Sequence, residues 1–472
     1  MPKKYQPIAI PLLAVVSGLL LGAIIMLIFG YDPVWGYEEL FYSAFGSVKS
    51  IGEIFRAMAP LIFTALGFAV ASRAGFFNVG LSGQALVGWV FAGWFALENP
   101  DMSRPLLIFA TVVIAMVAGG IAGAIPGVLR AYLGTSEVIV TIMMNYILLY
   151  MSNYLIRDVF SDNLMKNTDS TINVSANASY QTEWLRALTD NSRMNLGIFF
   201  AIIAVVVIWF LLTKTTLGFE IRSVGLNPTA SDYAGMSAKR TIILSMIISG
   251  ALAGLGGAIQ GLGTFQNVYI QGGSLDIGFD GMAVALLASN SPLGIPFAAF
   301  LFGFLSIGAP GMVRAQIPPE LINVVTASII FFIGVKFIFE QLLKPKIKGF
   351  GSSNTSVFSN VGLSVVLTVL TLGIYGLFWY IYIIKKVTRL NEPNASVMGE
   401  ILLNLFIPFY SIYWFYKANL SIVAYSKSIN REIENKSIMY ILLSIFGLQI
   451  VAIAIMQHDL NTLVLNSAKG VK

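Results

Sequence analysis

Long apolar segments, separated by short polar connections, are the feature that most constrains this sequence. A helix needs about 20 mainly apolar residues to cross a bilayer. Candidate segments lie near residues 8–29, 53–72, 78–97, 105–129, 137–156, 196–213, 242–263, 278–290, 293–312 and 320–341, with three more near 361–384, 401–425 and 438–456. They predict an all-α, polytopic helical membrane protein, with about ten transmembrane helices in a core and two or three hydrophobic helices in a C-terminal extension. The segment 278–290 is short and predicts a half-helix buried against others.

Composition limits the chemistry that this chain can carry. Of its 472 residues, 57% are hydrophobic and only 11% are charged. The absence of Cys excludes disulfides, thiolate metal sites and Cys nucleophiles, and a single His, His458, leaves no room for a histidine metal site or a Ser-His-Asp triad. No phosphate-binding GxxxxGKS or GxxxxGKT loop occurs. We therefore expect no catalytic residue, metal or cofactor in this chain, and any ATP hydrolysis takes place on another chain.

The distribution of Lys and Arg predicts the orientation, because these residues are enriched in cytoplasmic loops. If the N-terminus, with Lys3 and Lys4, is inside, ten spans bring most other loop cations to the same side. These cations are Arg73, Arg130, Lys214, Arg222, Lys239, Arg240, Lys344, Lys346 and Lys348. We therefore expect a multi-pass membrane protein with a cytoplasmic N-terminus. The net charge of +6 is then explained by topology, and no basic soluble face is left for a nucleic acid.

One predicted cytoplasmic connection is long and polar where most others are short. It runs from Lys214 to Arg240, KTTLGFEIRSVGLNPTASDYAGMSAKR, between two apolar runs. The simplest explanation for such a loop is a docking surface: a soluble partner binds a short helix in the loop and thereby moves the membrane helices. The loop therefore predicts a transport permease that is driven by a motor on another chain.

Polar residues form a stripe on the predicted helix TSEVIVTIMMNYILLYMS. At 100° per residue, Glu137, Thr141, Asn145 and Ser152 lie within about 80° of one another. Polar groups inside a membrane are costly, so they usually face a bundle interior or an aqueous path. Two interpretations stay open: the stripe lines a pathway, or Asn145 bonds a neighbouring helix. Glu137 lies near the cytoplasmic end, where it is predicted to be a favourable charge at a helix N-terminus.

Two glycine-rich segments predict interrupted helices. Gly75 to Gln84, GFFNVGLSGQ, lies between apolar runs and favours a sharp break. Such a break at membrane depth must be buried or line a cavity, and an ordinary cytoplasmic turn is the alternative. Gly278 to Gly281 precede a short apolar run, and Asp280 there is either an N-cap-like residue or a ligand contact.

Small residues predict close helix packing in the segment 242–263. Gly250 and Gly254 are four residues apart, and so are Gly257 and Gly261. This spacing lets the backbones of two helices approach each other, although it is common in helical membrane proteins. Gln260 lies beside the packed face, where it bonds either a polar ligand or a neighbouring backbone.

Four stretches, in this order, resemble the permeases of the branched-chain amino acid, ribose and nucleoside class of ABC importers. They are GFFNVGLSGQ at 75–84, TSEVIVTIMMNYI at 135–147, RSVGLNPTASDYAGM at 222–236 and GFDGMAVALLASNSPLG at 278–294. The resemblance covers residues 1–348, and the segment GYDPVWGYEELFYSAFGS at 30–47 is similar to the nucleoside-type subgroup.

This resemblance implies a mechanism and a set of partners. Such permeases pair with a second copy or a paralogue, contact cytoplasmic ABC ATPase subunits that hold ATP and Mg, and receive substrate from an extracytoplasmic lipoprotein. The implied ATPase-coupling residues are Gly225, Asn227, Pro228, Ala230, Tyr233 and Gly235. Ser231 and Ser82 depart from the family, which often has Ala and an acidic residue there.

A nucleoside substrate is neutral, with a flat base and hydroxyl groups, so amides and aromatic rings suffice along its path. The candidate residues for the translocation path are Phe76, Phe77, Asn78, Gln84, Thr141, Asn145, Gln260 and Asp280. A permease of the same class for a ribose-like sugar or a branched-chain amino acid is the alternative. A secondary transporter or channel without an ATPase is a further one; it predicts an inverted repeat and intramembrane acidic residues.

The last part of the chain departs from this pattern. Residues 349–356 predict a linker, and residues 357–472 resemble a small bacterial membrane domain of unknown function that is marked by GIYGLFWY and QHDLN. An aromatic repeat begins at Tyr375 and again at Tyr410, and it suits anchoring at a membrane interface. If 361–384 crosses from the inside, its basic end lies outside, so an interfacial or re-entrant segment is the alternative to a span.

Overall fold

The computed structural model describes residues 6–334, 361–370, 374–391, 397–406, 410–428, 433–445 and 448–467. The chain divides into two compact units, an N-terminal unit of residues 2–336 and a C-terminal unit of residues 337–472. The predicted linker, 349–356, lies outside the described residues.

The N-terminal unit is a helical bundle, and every predicted span in it is helical. Its helices are α1 (Gln6–Ile28), α2 (Pro33–Phe45), α3 (Val48–Arg73), α4 (Leu81–Glu98), α5 (Arg104–Leu133), α6 (Glu137–Tyr154), α7 (Glu183–Leu188), α8 (Gly197–Lys214), α9 (Thr216–Leu226), α10 (Pro228–Tyr233), α11 (Ala238–Ala258), α12 (Asp276–Leu287), α13 (Ile295–Gly308) and α14 (Pro319–Gly334). Among the described residues, six helices are long and apolar enough to cross a membrane: α3, α5, α6 continued to Val159, α8, α11 continued to Phe265 and α13 continued to Ala315. The helices α1, α4, α12 and α14 add further apolar segments to this bundle.

Helix α11 packs against α3, α4 and α5 through its glycines. A Cβ atom on Gly250 would lie 3.0 Å from the Cα atom of Gly123 in α5, and one on Gly257 would lie 2.9 Å from the Cα atom of Ala85 in α4. Any larger side chain at these glycines would push the helix backbones apart. The interface would then lose the dispersion energy that depends on their close approach. The prediction of close packing at these glycines is confirmed.

Helix α12 begins beside the middle of α3 instead of at the end of the bundle. Thr64, beyond the middle of α3, donates a hydrogen bond of 2.8 Å to the carbonyl of Ile277 in the first turn of α12. Beyond the other end of α12, Asn290 donates to the hydroxyl of Ser72 at 2.8 Å, one residue before α3 ends. The 12 residues of α12 rise about 18 Å. The prediction of a buried half-helix at this position is confirmed.

Residues between α6 and α8 cover the end of the bundle opposite α10. They include a π-helical turn (Leu155–Val159), a 3₁₀ turn (Asp162–Leu164) and two short antiparallel strands, β1 (Met165–Asn167) and β2 (Ser170–Thr171). Thr171 exchanges bonds with Val268, whose carbonyl accepts from the Thr171 amide at 2.9 Å. This cap is therefore fastened to the segment that follows α11.

The described part of the C-terminal unit is helical, as predicted. Each of its three apolar runs holds two helices, one short and one long: α15 (Val361–Leu370) and α16 (Ile374–Asn391), α17 (Met398–Phe406) and α18 (Tyr410–Ser428), α19 (Ser437–Ile445) and α20 (Gln449–Ser467). Among the described residues of this unit, no helix meets the length and apolarity of a span. Hydropathy alone did not separate these pairs, because one long helix and two consecutive helices give the same apolar run.

The aromatic repeat forms a buried core, whereas the sequence predicted anchoring at a membrane interface. Trp379 and Trp414, one from each copy, are buried in the unit. The ring of Tyr380 lies edge-on to that of Trp414, with centroids 5.3 Å apart, and stacks on Phe415 at 5.5 Å. These rings form the core of the C-terminal unit, whereas Tyr413 is exposed. The interpretation as interfacial anchors is therefore wrong for the buried rings, because the two copies pack on each other.

Candidate coupling and translocation site

The polar loop between α8 and α11 folds into two short helices whose ends are set by local sequence. The Asn227 side chain caps α10 by accepting from the Ala230 amide at 3.0 Å, and Pro228 occupies the first turn. Gly235 ends the segment with a φ of +83°, a conformation that favours glycine. Asp232 then accepts from the Ala238 amide at 2.8 Å, which ties α10 to the start of α11. The predicted short helix is therefore present.

Helix α10 and the end of α9 form an exposed surface at one end of the bundle. The side chain of Tyr233 is 91% exposed and that of Leu226 is 89% exposed. Ser231 is buried instead, and its hydroxyl donates to the Asn227 carbonyl at 2.9 Å. Sequence reasoning missed Leu226, because an apolar residue at the end of an amphipathic helix usually belongs to the core. Two large exposed apolar side chains on a polar loop are the mark of a contact surface.

Gly225 lies between this surface and the membrane helices. A Cβ atom at Gly225 would lie 3.0 Å from the carbonyl carbon of Ala74 and still closer to the carbonyl oxygen of Arg73. On the other side of the contact, Gly75 has a φ of +84° and lies against the backbone of Gly225. The predicted coupling residue Gly225 therefore packs α9 on the end of α3 and is not part of the exposed surface.

The segment from Ala74 to Gly80 is a non-helical break between α3 and α4 that is buried except at Gly75 and Phe77. The Asn78 side chain is fully buried; its amide group donates to the Ser249 hydroxyl at 2.8 Å and to the Gln84 side chain at 3.0 Å. Its carbonyl oxygen accepts from the Gly80 amide at 2.9 Å. Asn78 therefore closes the turn and ties it to α11, as an Asx turn does.

The polar stripe of α6 holds the same break from the other side. Thr141 accepts a hydrogen bond from the Val79 amide at 3.3 Å, and Asn145 donates to the Val79 carbonyl at 2.9 Å. Asn145 also accepts from the Gly83 amide at 2.8 Å in the first turn of α4. Both backbone groups of Val79 are satisfied in this way, as buried non-helical backbone requires.

These contacts give the stripe a structural role. Asn78, Gln84, Thr141 and Asn145 are at most 3% exposed, and their polar groups hold the break together. Their assignment to the translocation path stays a prediction. Sequence reasoning also missed Ser249, whose partner Asn78 lies far away along the chain.

The other candidate path residues lie on three separate elements. Phe76 is buried, and Phe77 is partly exposed with its ring edge-on to Phe68 at 5.0 Å between centroids. Gln260 lies half-buried in the π-helical turn Ile259–Phe265, and Asp280 lies half-buried in the second turn of α12. Among the described residues, no group of three or more His, Cys, Asp or Glu side chains could hold a metal ion.

The end of α3 joins these parts. Arg73 donates to the Asn290 carbonyl at 3.2 Å, so the end of α3 contacts the residues that follow α12. The same turn contacts Gly225 of α9 and leads directly into the break. The last turn of α3 therefore connects α9 and α10 both to the break and to the residues that follow α12.

Known proteins similar to this chain are transport permeases. Residues 50–334 match the family described as branched-chain amino acid transport system, permease component. A nucleoside ABC transporter permease of Lactococcus lactis, NupB, is 58% identical over 358 residues, which cover 75% of this chain and 98% of that protein. A guanosine ABC transporter permease of Bacillus subtilis, NupP, is 44% identical over 352 residues, covering 73% and 99%. A glucose ABC transporter permease of Haloferax volcanii, TsgB13, is 28% identical over 342 residues, covering 70% and 88%.

These similarities define the class as ABC transporter permeases, which are multi-pass membrane subunits and not enzymes. The chain belongs to the family of branched-chain amino acid transport system permease components. Residues 359–419 also match a domain of unknown function, DUF4234, in agreement with the resemblance of the C-terminal part. No solved structure matches the chain.

Proposed function

We propose that this chain is the permease subunit of an ATP-driven importer that carries nucleosides across the bacterial cytoplasmic membrane by alternating access. The observation that carries the proposal is the 58% identity to a nucleoside permease over 98% of that protein's length. The 44% identity to a guanosine permease supports the same substrate class. A simple sugar is the second candidate, since a glucose permease is 28% identical over 88% of its length.

The exposed surface formed by α10 and the end of α9 is the site at which an ATPase subunit would dock. Its two large apolar side chains, Leu226 of α9 and Tyr233 of α10, would fill pockets on the partner, and the small residues Ala230 and Gly235 allow close backbone contact. The loop carries Arg222, Lys239 and Arg240, which supports a cytoplasmic position and a cytoplasmic N-terminus. ATP and Mg would be held by that subunit and not by this chain.

Motion of the docked ATPase would enter the bundle at the Gly225 contact. From there it would reach the turn at Arg73, the break at Asn78 and, through Asn290, the half-helix α12. Packed elements with two discrete arrangements transmit such displacements. A second permease copy or a paralogue would complete the path, and an extracytoplasmic lipoprotein would deliver the substrate to the cap between α6 and α8.

The residues proposed to contact substrate are the candidate path residues whose side chains are at least partly exposed. Phe77, Gln260 and Asp280 combine an aromatic face, an amide and a carboxyl group, which suit a base and ribose hydroxyls. A permease needs only weak and transient binding, because the lipoprotein supplies affinity. A few polar groups on a largely apolar path are sufficient for that purpose.

Uptake of radiolabelled nucleosides by cells with and without the gene tests the substrate, with ribose and branched-chain amino acids as competitors. We expect uptake to fall without the gene and only nucleosides to compete. Loss of ribose or amino-acid uptake with intact nucleoside uptake would overturn the substrate assignment while leaving the class of permease in place.

The substitution Gly235→Arg tests the coupling surface in the same assay. It places a large side chain beside α10 at a backbone conformation that disfavours it, so we expect uptake to be lost while the protein stays in the membrane. Gly272→Arg is the matched control, because Gly272 has open space around it outside the loop. Normal uptake by Gly235→Arg would show that α10 is not the coupling element.

A further inference from the structure

Charges in the C-terminal unit are separated along the sequence in a regular way. Three stretches, 357–384, 401–416 and 437–457, contain no charged residue, and each includes the connection between a short helix and the following long helix. The charged residues of the described part lie outside these stretches: Lys385, Lys386, Arg389, Glu400, Lys417, Lys427, Glu434, Lys436 and Asp459.

Each short helix folds back along the long helix that follows it. In the first pair, a Cβ atom at Gly376 would touch the Thr368 side chain at 2.6 Å. In the second pair, Glu400, near the start of α17, binds Lys417, two turns into α18. In the third pair, Lys436, directly before α19, contacts Asp459 of α20 at 2.8 Å. The unit is therefore built from three antiparallel helical hairpins of similar length.

Contacts join the first turns of the long helices to one another. The rings of Tyr380 and Trp414 pack together in the first two turns of α16 and α18. Gln449, the first residue of α20, donates to the hydroxyl of Ser411 at the start of α18 at 3.3 Å. The starts of the three long helices thus lie side by side, and we call this the apolar end. The charged residues lie toward the opposite end, which we call the charged end.

The apolar end leaves large side chains uncovered. Those that are exposed toward it are Leu377, Tyr413, Leu442, Leu448, Ile450 and Val451, while Met398 and Ile438 are exposed beside the charged end. The short helices have 9 or 10 residues and rise about 15 Å, which is half of the roughly 30 Å hydrocarbon core of a bilayer. None of the short helices can therefore cross the membrane. The long helices have 18 or 19 residues, but charged residues begin partway along each of them, at Lys385, Lys417 and Asp459, so the charge-free part of each hairpin has about the depth of one leaflet.

We propose that the C-terminal unit is a lipid-embedded wedge that enters the cytoplasmic leaflet with its apolar end and does not cross the bilayer. The acyl chains cover the exposed apolar side chains, and every hairpin returns its charged end to the headgroups. Six Lys or Arg against three Asp or Glu among the described residues favour the anionic cytoplasmic surface. This arrangement keeps Lys385, Lys386 and Arg389 inside, whereas a span from 361 to 384 would carry them out.

Single cysteines test the wedge in the full chain, which has no Cys of its own. Leu448→Cys and Leu377→Cys mark the apolar end, and Lys427→Cys marks the charged end. A membrane-impermeant maleimide is applied to intact cells and to inverted vesicles, with Thr229→Cys on α10 and Asp169→Cys in the opposite cap as side references. We expect Lys427→Cys to react only in inverted vesicles and both apolar-end variants to react in neither preparation.

A second measurement identifies what covers the apolar end. The purified chain carries a bimane at Leu448→Cys or Lys427→Cys and is reconstituted with lipids that bear a nitroxide either on the acyl chain or on the headgroup. We expect stronger quenching by the acyl-chain nitroxide at position 448 and the reverse order at position 427.

Three results would overturn the proposal. Reaction of Leu448→Cys in intact cells would mean that the hairpin crosses the membrane. Its reaction in inverted vesicles would mean that the apolar end lies in water. Protection from maleimide without quenching by the acyl-chain nitroxide would mean that protein, and not lipid, covers the apolar end.

Discussion

Asn145 illustrates how one amide can hold a broken helix inside a membrane. Its side chain bonds the carbonyl of Val79 and the amide of Gly83, and neither backbone group has access to water. In hydrocarbon or protein interior, an unsatisfied group of this kind costs about 1–3 kcal/mol. The residue therefore matters for the shape of the break, whatever path the substrate takes.

We predict that Asn145→Ala destabilises the protein by about 1–3 kcal/mol, because two buried backbone groups lose their partner. The measurement is the melting temperature of the purified protein in detergent. Ser152→Ala is the matched control: Ser152 lies on the same buried face of α6, but its hydroxyl has no hydrogen-bond partner. Equal melting temperatures for Asn145→Ala and the unmodified protein would contradict this role.

Gly225 carries the contact between the coupling loop and the bundle. We predict that Gly225→Val lowers nucleoside uptake, because its side chain would overlap the backbone at Arg73 and Ala74 and force α9 away at a cost of about 1–3 kcal/mol. Uptake per amount of protein in the membrane is the measurement. Gly273→Val serves as the control, since nothing lies near Gly273. Unchanged uptake would remove Gly225 from the transmission route.

Two short helices of this protein, α10 and α12, have ends that are fixed by specific contacts or residues. Helix α12 begins at the depth of Thr64, and α10 is a single short helix between an Asn-Pro start and a Gly end. Short helices gain little stability alone, so tertiary contacts must hold them. For α12 these contacts are internal, whereas the exposed face of α10 has none within this chain.

We predict that Leu226→Ala at the end of α9 and Tyr233→Ala at the end of α10 each weaken binding of the ATPase by about 1–2 kcal/mol, as buried apolar anchors of an interface do. The affinity of the purified permease for its ATPase subunit is measured by titration. Thr229→Ala is the control, because Thr229 is exposed on the same helix but small. Unchanged affinity in both variants would place the ATPase elsewhere.

At the scale of the whole molecule, the permease is joined to a C-terminal unit that a similar permease lacks. The Lactococcus lactis permease is covered over 98% of its length by 358 aligned residues, so it has no room for a further unit of this size. The contacts of the break, α10 and α12 all lie within residues 2–336. The machinery described above is thus contained in the N-terminal unit.

We therefore predict that the chain truncated after residue 348 still reaches the membrane and takes up substrate at a rate within about twofold of the full chain, since no contact of the site is removed. The comparison is uptake per amount of membrane protein in cells with either form. Loss of uptake at a normal membrane level would assign the C-terminal unit a direct part in transport.

Local sequence was sufficient for much of this protein. Apolar runs placed the ten core helices, Asn227, Pro228 and Gly235 set the ends of α10, and the Gly250 to Gly254 spacing indicated close packing. Each of these signals lies within a few residues, and each depends on backbone geometry or on burial that the chain imposes wherever it folds. The polar stripe on α6 was visible for the same reason.

Only the tertiary structure decided what those residues contact. The bonds of Asn145 to Val79 and of Asn78 to Ser249 join residues 66 and 171 positions apart, and periodicity carries no information on such pairs. It also decided that each apolar run of the C-terminal unit folds back on itself, since Lys436 meets Asp459 across a hairpin. Hydropathy determines which segments leave water, whereas the partners of each polar group depend on packing in three dimensions.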